Sequence, residues 1–400
     1  DEHPQRTAVL RNIITAAALT VACGGCIAVG GEALPEGRLV ILDDSGNVVT
    51  MAPDGSDPFT VAGDGGARVT YFQPIWSPDG SSVSVTRSDA GTFSIEIFHV
   101  DSGEQSSTVT NSNSFYQYWS PDGSRLASLS VAGPGVLGLD VLDVGGSGAP
   151  VRLAEGQPLY FSWSPNSSGI VAHIGTAPLE VLPPEGTNPG FGPSGDFSAP
   201  QWTEGGIVHI GVTSRRQQLV RTTADRGTDV VASVLGGAIF TASPDGQRIA
   251  ILPAPRDDVG QSVSAQQAPV LPAGRLSVVD ADDGGFVEVD AGVVAAFSWD
   301  PTGERLLVLE VAEGGEFFWR VWEGGESQTF AKFIPSPGFL RDFVPFFDQY
   351  AQSMTLWSPD GGTFAFPGSV GGESGIWRQE LSEQNPVRVS GGNWVAWSSQ

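Results

Sequence analysis

Two histidines are the first residues whose spacing suggests chemistry. "IVAHIG" and "IVHIG" place His173 and His209 at matching positions of successive strand-like runs. Imidazoles on neighbouring strands can share a metal ion, but a third ligand must stand nearby. The remaining histidines, His3 and His99, are far away in sequence, and both runs are apolar. A histidine in such a run is more commonly a neutral, hydrogen-bonded core residue. No metal and no cofactor is therefore assigned, and His173 and His209 stay as weak metal candidates. "DADDGG" at 280–285 hints at a calcium loop, which needs an oxygen ligand at its fifth position and Glu at its twelfth. Those positions hold Gly284 and Ala291, so the segment reads as a hairpin turn like "VDSGE" and "LDDSGN". No G-x-S-x-G elbow occurs, since "GGSGA" at 145–149 lacks its last glycine. Walker, HExxH and dinucleotide-loop patterns are absent as well. The expectation is a protein that is not an enzyme and has no catalytic residues.

The other candidate for chemistry is a string. "WSPDG" stands at 76–80, 119–123 and 357–361, which makes Asp79, Asp122 and Asp360 look like an active-site signature. Related units drift in a way a catalytic motif would not tolerate. Ala242 replaces the Trp but keeps "SPDG", Trp202 keeps the Trp in "WTEGG", and the variants "WSPNSSG" and "WDPTG" begin at Trp163 and Trp299. Ser-Pro-Asp-Gly suits a type I turn, with proline at its second position and glycine at its fourth. Trp76, Trp119, Trp163, Trp299 and Trp357, with the three aspartates, are thus read as markers of a structural module.

The markers, ending at Trp397, are spaced by 43, 44, 39, 40, 57, 58 and 40 residues. That period is the length of one four-stranded propeller blade. Each turn is followed by short β runs such as "SVSVTR", "RLASLSV" or "RLLVLEV", bounded by Gly, Asp and Ser. The fold expected is all-β, a propeller of eight four-stranded blades, or seven if the weak units at 163 and 202 do not each form one. "NWVAWSSQ" supplies one innermost strand, and residues 38–62 supply the three outer strands of a blade lacking its first. Joining them closes the ring and removes an open sheet edge.

"WSPDG" followed by a β run and an "I-x-V-x-D"-like strand resembles the PD40, or TolB-type, WD40-like propeller repeat of bacteria. The resemblance covers roughly residues 38–400 and implies the fold, while such repeats serve many roles. Two features depart from TolB: no α/β domain precedes the propeller in this sequence, and eight blades exceed that family's six. TolB's translocation role and its lipoprotein partner are not carried over.

Two spacings are long. In one unit the excess is 253–274, between second and third strands; in the other it is 332–355, after the fourth strand. Both loops should project from one face, opposite the SPDG turns, on adjacent blades. The second holds Phe333, Phe339, Phe343, Phe346, Phe347 and Tyr350, six of the chain's 26 Phe and Tyr residues. It reads either as a loop folded over the channel mouth around its own aromatics or as an aromatic contact patch with a polar rim. The partner-binding candidates are Phe339, Arg341, Phe343, Phe346, Phe347, Asp348 and Tyr350.

Bulk properties narrow the partners. The net charge is −25, the pI is about 4.3 and the single lysine is Lys332, so no run of phosphates could be neutralised. Nucleic-acid binding is not expected, and an anionic membrane would repel the body of the chain. Residues 1–30 carry Arg6 and Arg11 and then a mostly apolar stretch from Ile13 to Val29, the layout of a signal peptide or membrane-anchor segment. Residues 31–37 are a linker and 38–400 the propeller. "LTVAC" resembles a bacterial lipobox, with Thr20 where leucine is usual, which makes Cys23 the lipidation candidate. Cys23 and Cys26 are the two cysteines, leaving no disulfide framework for the body. The expectation is an extracytoplasmic, monomeric propeller, membrane-anchored or else secreted. It is read as a protein-binding scaffold at the cell envelope. Alternatives are a small-ligand or glycan sensor using the central channel and, less favoured, a metal-dependent enzyme.

Overall fold

The computed structural model describes residues 37–110, 113–182, 194–213, 216–223, 227–254 and 269–400. The N-terminal segment with Cys23, and 255–268 of the first insertion, lie outside the described residues. Antiparallel sheets form eight blades of a β-propeller: seven have four described strands and one has three. In chain order, blades 2 to 8 begin at Val69, Ser114, Leu159, Gln201, Ala238, Val293 and Ile334. Blade 1 combines the two ends of the sequence. Trp394–Trp397 pairs with Leu39–Leu42, and Val48–Met51 and Phe59–Ala62 complete the sheet. The expected closure is present, and the weak units at 163 and 202 form blades 4 and 5.

The repeated string builds the turn between first and second strands. In blade 2 the Gly80 N–H donates to the Ser77 carbonyl at 2.9 Å, and the Ser77 hydroxyl donates to Asp79 Oδ1 at 2.6 Å. The Ser82 N–H returns to Ser77 Oγ at 2.9 Å, so one serine serves three bonds. Blade 3 repeats this with Ser120, Asp122 and Gly123, and blade 8 with Ser358, Asp360 and Gly361. In "WDPTG" the buried Asp300 takes the serine's place and accepts from the Arg305 N–H at 3.1 Å. Gly80 has φ 68°, a left-handed conformation that explains glycine as the last letter.

The tryptophans join blades. The indole N–H of Trp76 donates to the Ala396 carbonyl, that of Trp163 to Tyr118 and that of Trp299 to Thr241. Each acceptor directly precedes the marker position of the preceding blade. Trp119 departs from this by donating to Ser84 Oγ at 3.0 Å. Burying a large ring accounts for Trp at this position; its one donor is satisfied in these four markers, whereas the buried Trp357 N–H has no partner among the described residues.

The second insertion follows the fourth strand of blade 7 (Glu326–Thr329), as expected, and it also interrupts the innermost strand of blade 8. Ile334–Pro335 pairs with Ser369 and Gly368, and the strand resumes where Trp357 bridges Phe364. Between them lie helix α1 (Pro337–Asp342), a 3-10 turn (Val344–Phe346) and helix α2 (Phe347–Tyr350). These are short helices that the sequence reading did not assign. Ser336 caps α1, accepting from the Phe339 N–H, and Pro337 needs no partner for a missing N–H. The long segment of blade 6 does lie between second and third strands, Arg248–Pro253 and Ser277–Asp280. Blade 7 separates the two insertions, so they are not on adjacent blades.

Candidate functional site

The insertion fills the central channel. Phe347 packs on Phe297 with ring centroids 4.8 Å apart, Tyr350 on Tyr116 at 5.1 Å, and Phe343 on Trp394 at 6.5 Å. Those partners sit on innermost strands of blades 7, 3 and 1, so the segment that touches them all lies on the propeller axis. Amides complete the seal. Gln349 accepts from the Phe161 N–H at 2.9 Å and donates to the Phe161 carbonyl at 2.7 Å, pairing with blade 4 as an added strand would. Gln352 accepts from the Ser162 hydroxyl and donates to the Trp202 carbonyl, while Gln201 donates to the Asp348 carbonyl at 3.3 Å.

This placement divides the seven partner-binding candidates. Phe339, Phe343, Phe347 and Tyr350 belong to the main hydrophobic core, and Asp348 is buried with them. They are neither a satellite core over the mouth nor an exposed patch. Phe346 is 45% exposed, and the Arg341 side chain is 68% exposed while it pairs with Asp342. Of the seven, these two face solvent. Burial pushes the Asp348 carboxyl up to about 6 against hydrogen bonds from the Gln349, Asp348 and Ala199 backbone.

The two faces of the ring differ. On the SPDG-turn face, a basin of about 590 Å³ is walled by marker tryptophans and turn prolines, including Trp76, Pro78, Trp119 and Pro121, and floored by Ala351–Thr355. Among the described residues two carboxylates line it, Glu204 and Asp300, and Asp300 accepts from the Thr302 hydroxyl and the Glu304 and Arg305 N–H groups. The aspartates of the SPDG turns are bound within their turns. Hydrogen bonds from Ser77 and Ser81 hold Asp79 below the usual carboxylate range. For Asp122, burial acts upward, but hydrogen bonds from Ser120 and Ser124 bring it down to about 2.

The opposite face, where the insertion starts, is apolar at its centre. Among the described residues ten large hydrophobic side chains are exposed. Six of them, Phe115, Val131, Ile239, Val293, Ile334 and Phe346, lie there at innermost or second-strand ends or on the plug. The others, Val151, Phe286, Val287 and Val387, are on outermost strands. Sequence reasoning selected Phe346 but missed Phe115 and Ile334. The signal available was an aromatic or aliphatic residue at the polar end of a strand run.

His173 and His209 do occupy second strands of blades 4 and 5. His173 Nδ1 lies 3.1 Å from the Ser198 carbonyl and its ring packs on Phe197 at 4.7 Å. His209 Nε2 lies 3.4 Å from Thr222 Oγ1. Burial lowers both pKa values, that of His209 to about 4, so both are neutral at pH 7. Among the described residues no three His, Cys, Asp or Glu side chains gather as a metal site. No helix among them is long and apolar enough to cross a membrane.

No family model matches the chain, and none of the curated proteins does. Solved structures similar to it include a eukaryotic initiation factor, at 9% identity over 90% of this chain and 98% of that one, with TM-score 0.57. The chain is a β-propeller. TolB from Acinetobacter baumannii is also among its structural neighbours, at 13% identity, 73% of this chain and TM-score 0.40. The chain spans 63% of that TolB chain's length. The propeller domain of the Trilobed protease from Pyrococcus furiosus, with its open velcro topology, is similar at 12% identity over 81% of this chain and 84% of that one, with TM-score 0.46. Here, by contrast, the ring is closed by strand pairing within blade 1.

Proposed function

We propose that the chain is a non-catalytic, protein-binding propeller, exported and held at the cell envelope by its N-terminal segment, and that a partner docks on the plug face. The observation behind this reading is the set of exposed apolar side chains around that end of the channel. Interface centres are apolar and poor in charge, and single scattered hydrophobics elsewhere need no such account. The plugged channel argues against a glycan threaded along the axis. Asp79, Asp122, Asp300 and Asp360 are occupied as acceptors within their turns, which supports a non-enzymatic role.

Affinity capture from envelope fractions tests the docking face. A partner should be recovered by the wild type and lost by a Phe346→Asp, Ile334→Asp double variant whose melting temperature is kept. Undiminished capture by that folded variant would move the partner to another surface. Mass spectrometry of the mature N-terminus tests the tether: a lipid on Cys23 is expected, and a cleaved, unmodified terminus would replace anchoring by secretion.

A further inference from the structure

The basin on the SPDG-turn face joins an apolar wall to a single available charge. Its volume of about 590 Å³ lies within the range of small-molecule pockets, and indoles and prolines from successive blades supply much of the wall. The floor, Ala351–Thr355, closes the channel, so a ligand would rest in the basin rather than pass along the axis.

Glu204 supplies the charge. In "WTEGG" it stands at the turn position that Pro78, Pro121, Pro165, Pro244 and Pro301 hold in their own blades, and all six residues line the basin. Glu204 is exposed, and among the described residues no basic side chain pairs with it. Arg221, beside the same turn, pairs instead with Asp229 and Asp282. Asp300, the other lining carboxylate, is fully buried, bonded within its turn and 3.6 Å from Arg305. Among the described residues no Arg, Lys or His lines the basin. Asp79 and Asp122, each next to a wall proline, are exposed and ionised at pH 7, which adds negative potential at the rim. Of the lining indoles, only that of Trp202 is half-buried rather than buried, and it stands two residues before Glu204. A cation there is attracted by the carboxylate, by the indole ring and by the field of a chain of net charge −25, whereas an anion is repelled.

We propose that this basin binds a small organic monocation, an apolar ring system carrying one ammonium group that pairs with Glu204. The basin lies on the face opposite the docking surface, and either reading can fail alone. Tryptamine, a monocation at pH 7, is titrated onto the full chain at low salt and followed by calorimetry and ligand-observed NMR. Tryptophol is its neutral hydroxyl counterpart, and methylammonium carries the charge without the ring. Saturable binding of tryptamine is expected, about fivefold tighter than that of tryptophol, with none of methylammonium. Glu204→Gln should bring tryptamine to the level of tryptophol and leave tryptophol unchanged. Ala351→Trp, which fills the floor, should weaken both about tenfold or more. Should Ala351→Trp fail to fold, Ser399→Trp on the exposed wall provides the same test. Absence of saturable tryptamine binding to the wild type overturns the proposal, as does binding unchanged in folded Glu204→Gln or in a folded, basin-filled variant. Tryptophol binding as tightly as tryptamine removes the cation assignment, and methylammonium binding as tightly reduces the effect to diffuse charge attraction. If tryptamine is inert while a lysine-rich peptide binds and is weakened by Glu204→Gln, the basin takes a partner's basic side chain and the small-molecule assignment falls.

Discussion

Asp348 and the two buried histidines set opposite pH responses within one window. The folded state holds the Asp348 proton up to about pH 6, whereas the unfolded carboxyl releases it near its ordinary value of 3.8. Its contribution is therefore present below pH 4 and lost as pH rises toward 6. His209, lowered to about 4 from 6.5, has the reverse sign, because the unfolded chain takes up protons first as pH falls below 6.5. Wild-type stability across this range thus mixes the two, and the difference between variant and wild type isolates the carboxyl. Asp348→Asn should be more stable than wild type at pH 7 by an amount on the order of 2 kcal/mol, with the gap closing toward pH 4. Denaturant melts at both pH values measure this, and a gap independent of pH would show that Asp348 is ionised in the fold. None of it was legible locally: "FFDQY" reads as a polar-rimmed patch, and the cause of burial is the ring of innermost strands around it.

The plug is the element whose role depends most on the rest of the chain. Its amides imitate strand pairing, with Gln349 engaging both backbone groups of Phe161 and the Tyr116 hydroxyl. Gln349→Ala would leave those buried groups unpaired, at a cost of about 2 kcal/mol or more. Its melting temperature should fall clearly below that of an exposed control such as Arg341→Ala, and equal melting would mean the plug is not anchored through this residue. By contrast, the SPDG turns were legible because their bonds run within five residues, from Ser77 to Ser82. The helices were not, since four and six residues carry too little periodicity to recognise. Their stability comes from packing against the channel wall.

At the scale of the whole molecule, the ring is held by one four-residue pairing between its ends. Leu39, Val40 and Ile41 are fully buried beneath Trp394–Trp397. Removing residues 394–400 should expose that strand edge and the channel core together. Size-exclusion chromatography should then show aggregation and thermal unfolding should lose its sharp transition, while a monomer melting like the full chain would refute the closure as a source of stability. The repeat period, the eight blades and this closure follow from the sequence by itself, because each blade is encoded by its own contiguous residues and short-range turns. The plug, the burial of five of the seven selected binding residues, the apolar face and the turn-face basin were decided only by tertiary structure. Gln349 meets Tyr116 across 233 residues of chain, and contacts of that span arise where eight sheets converge on one axis.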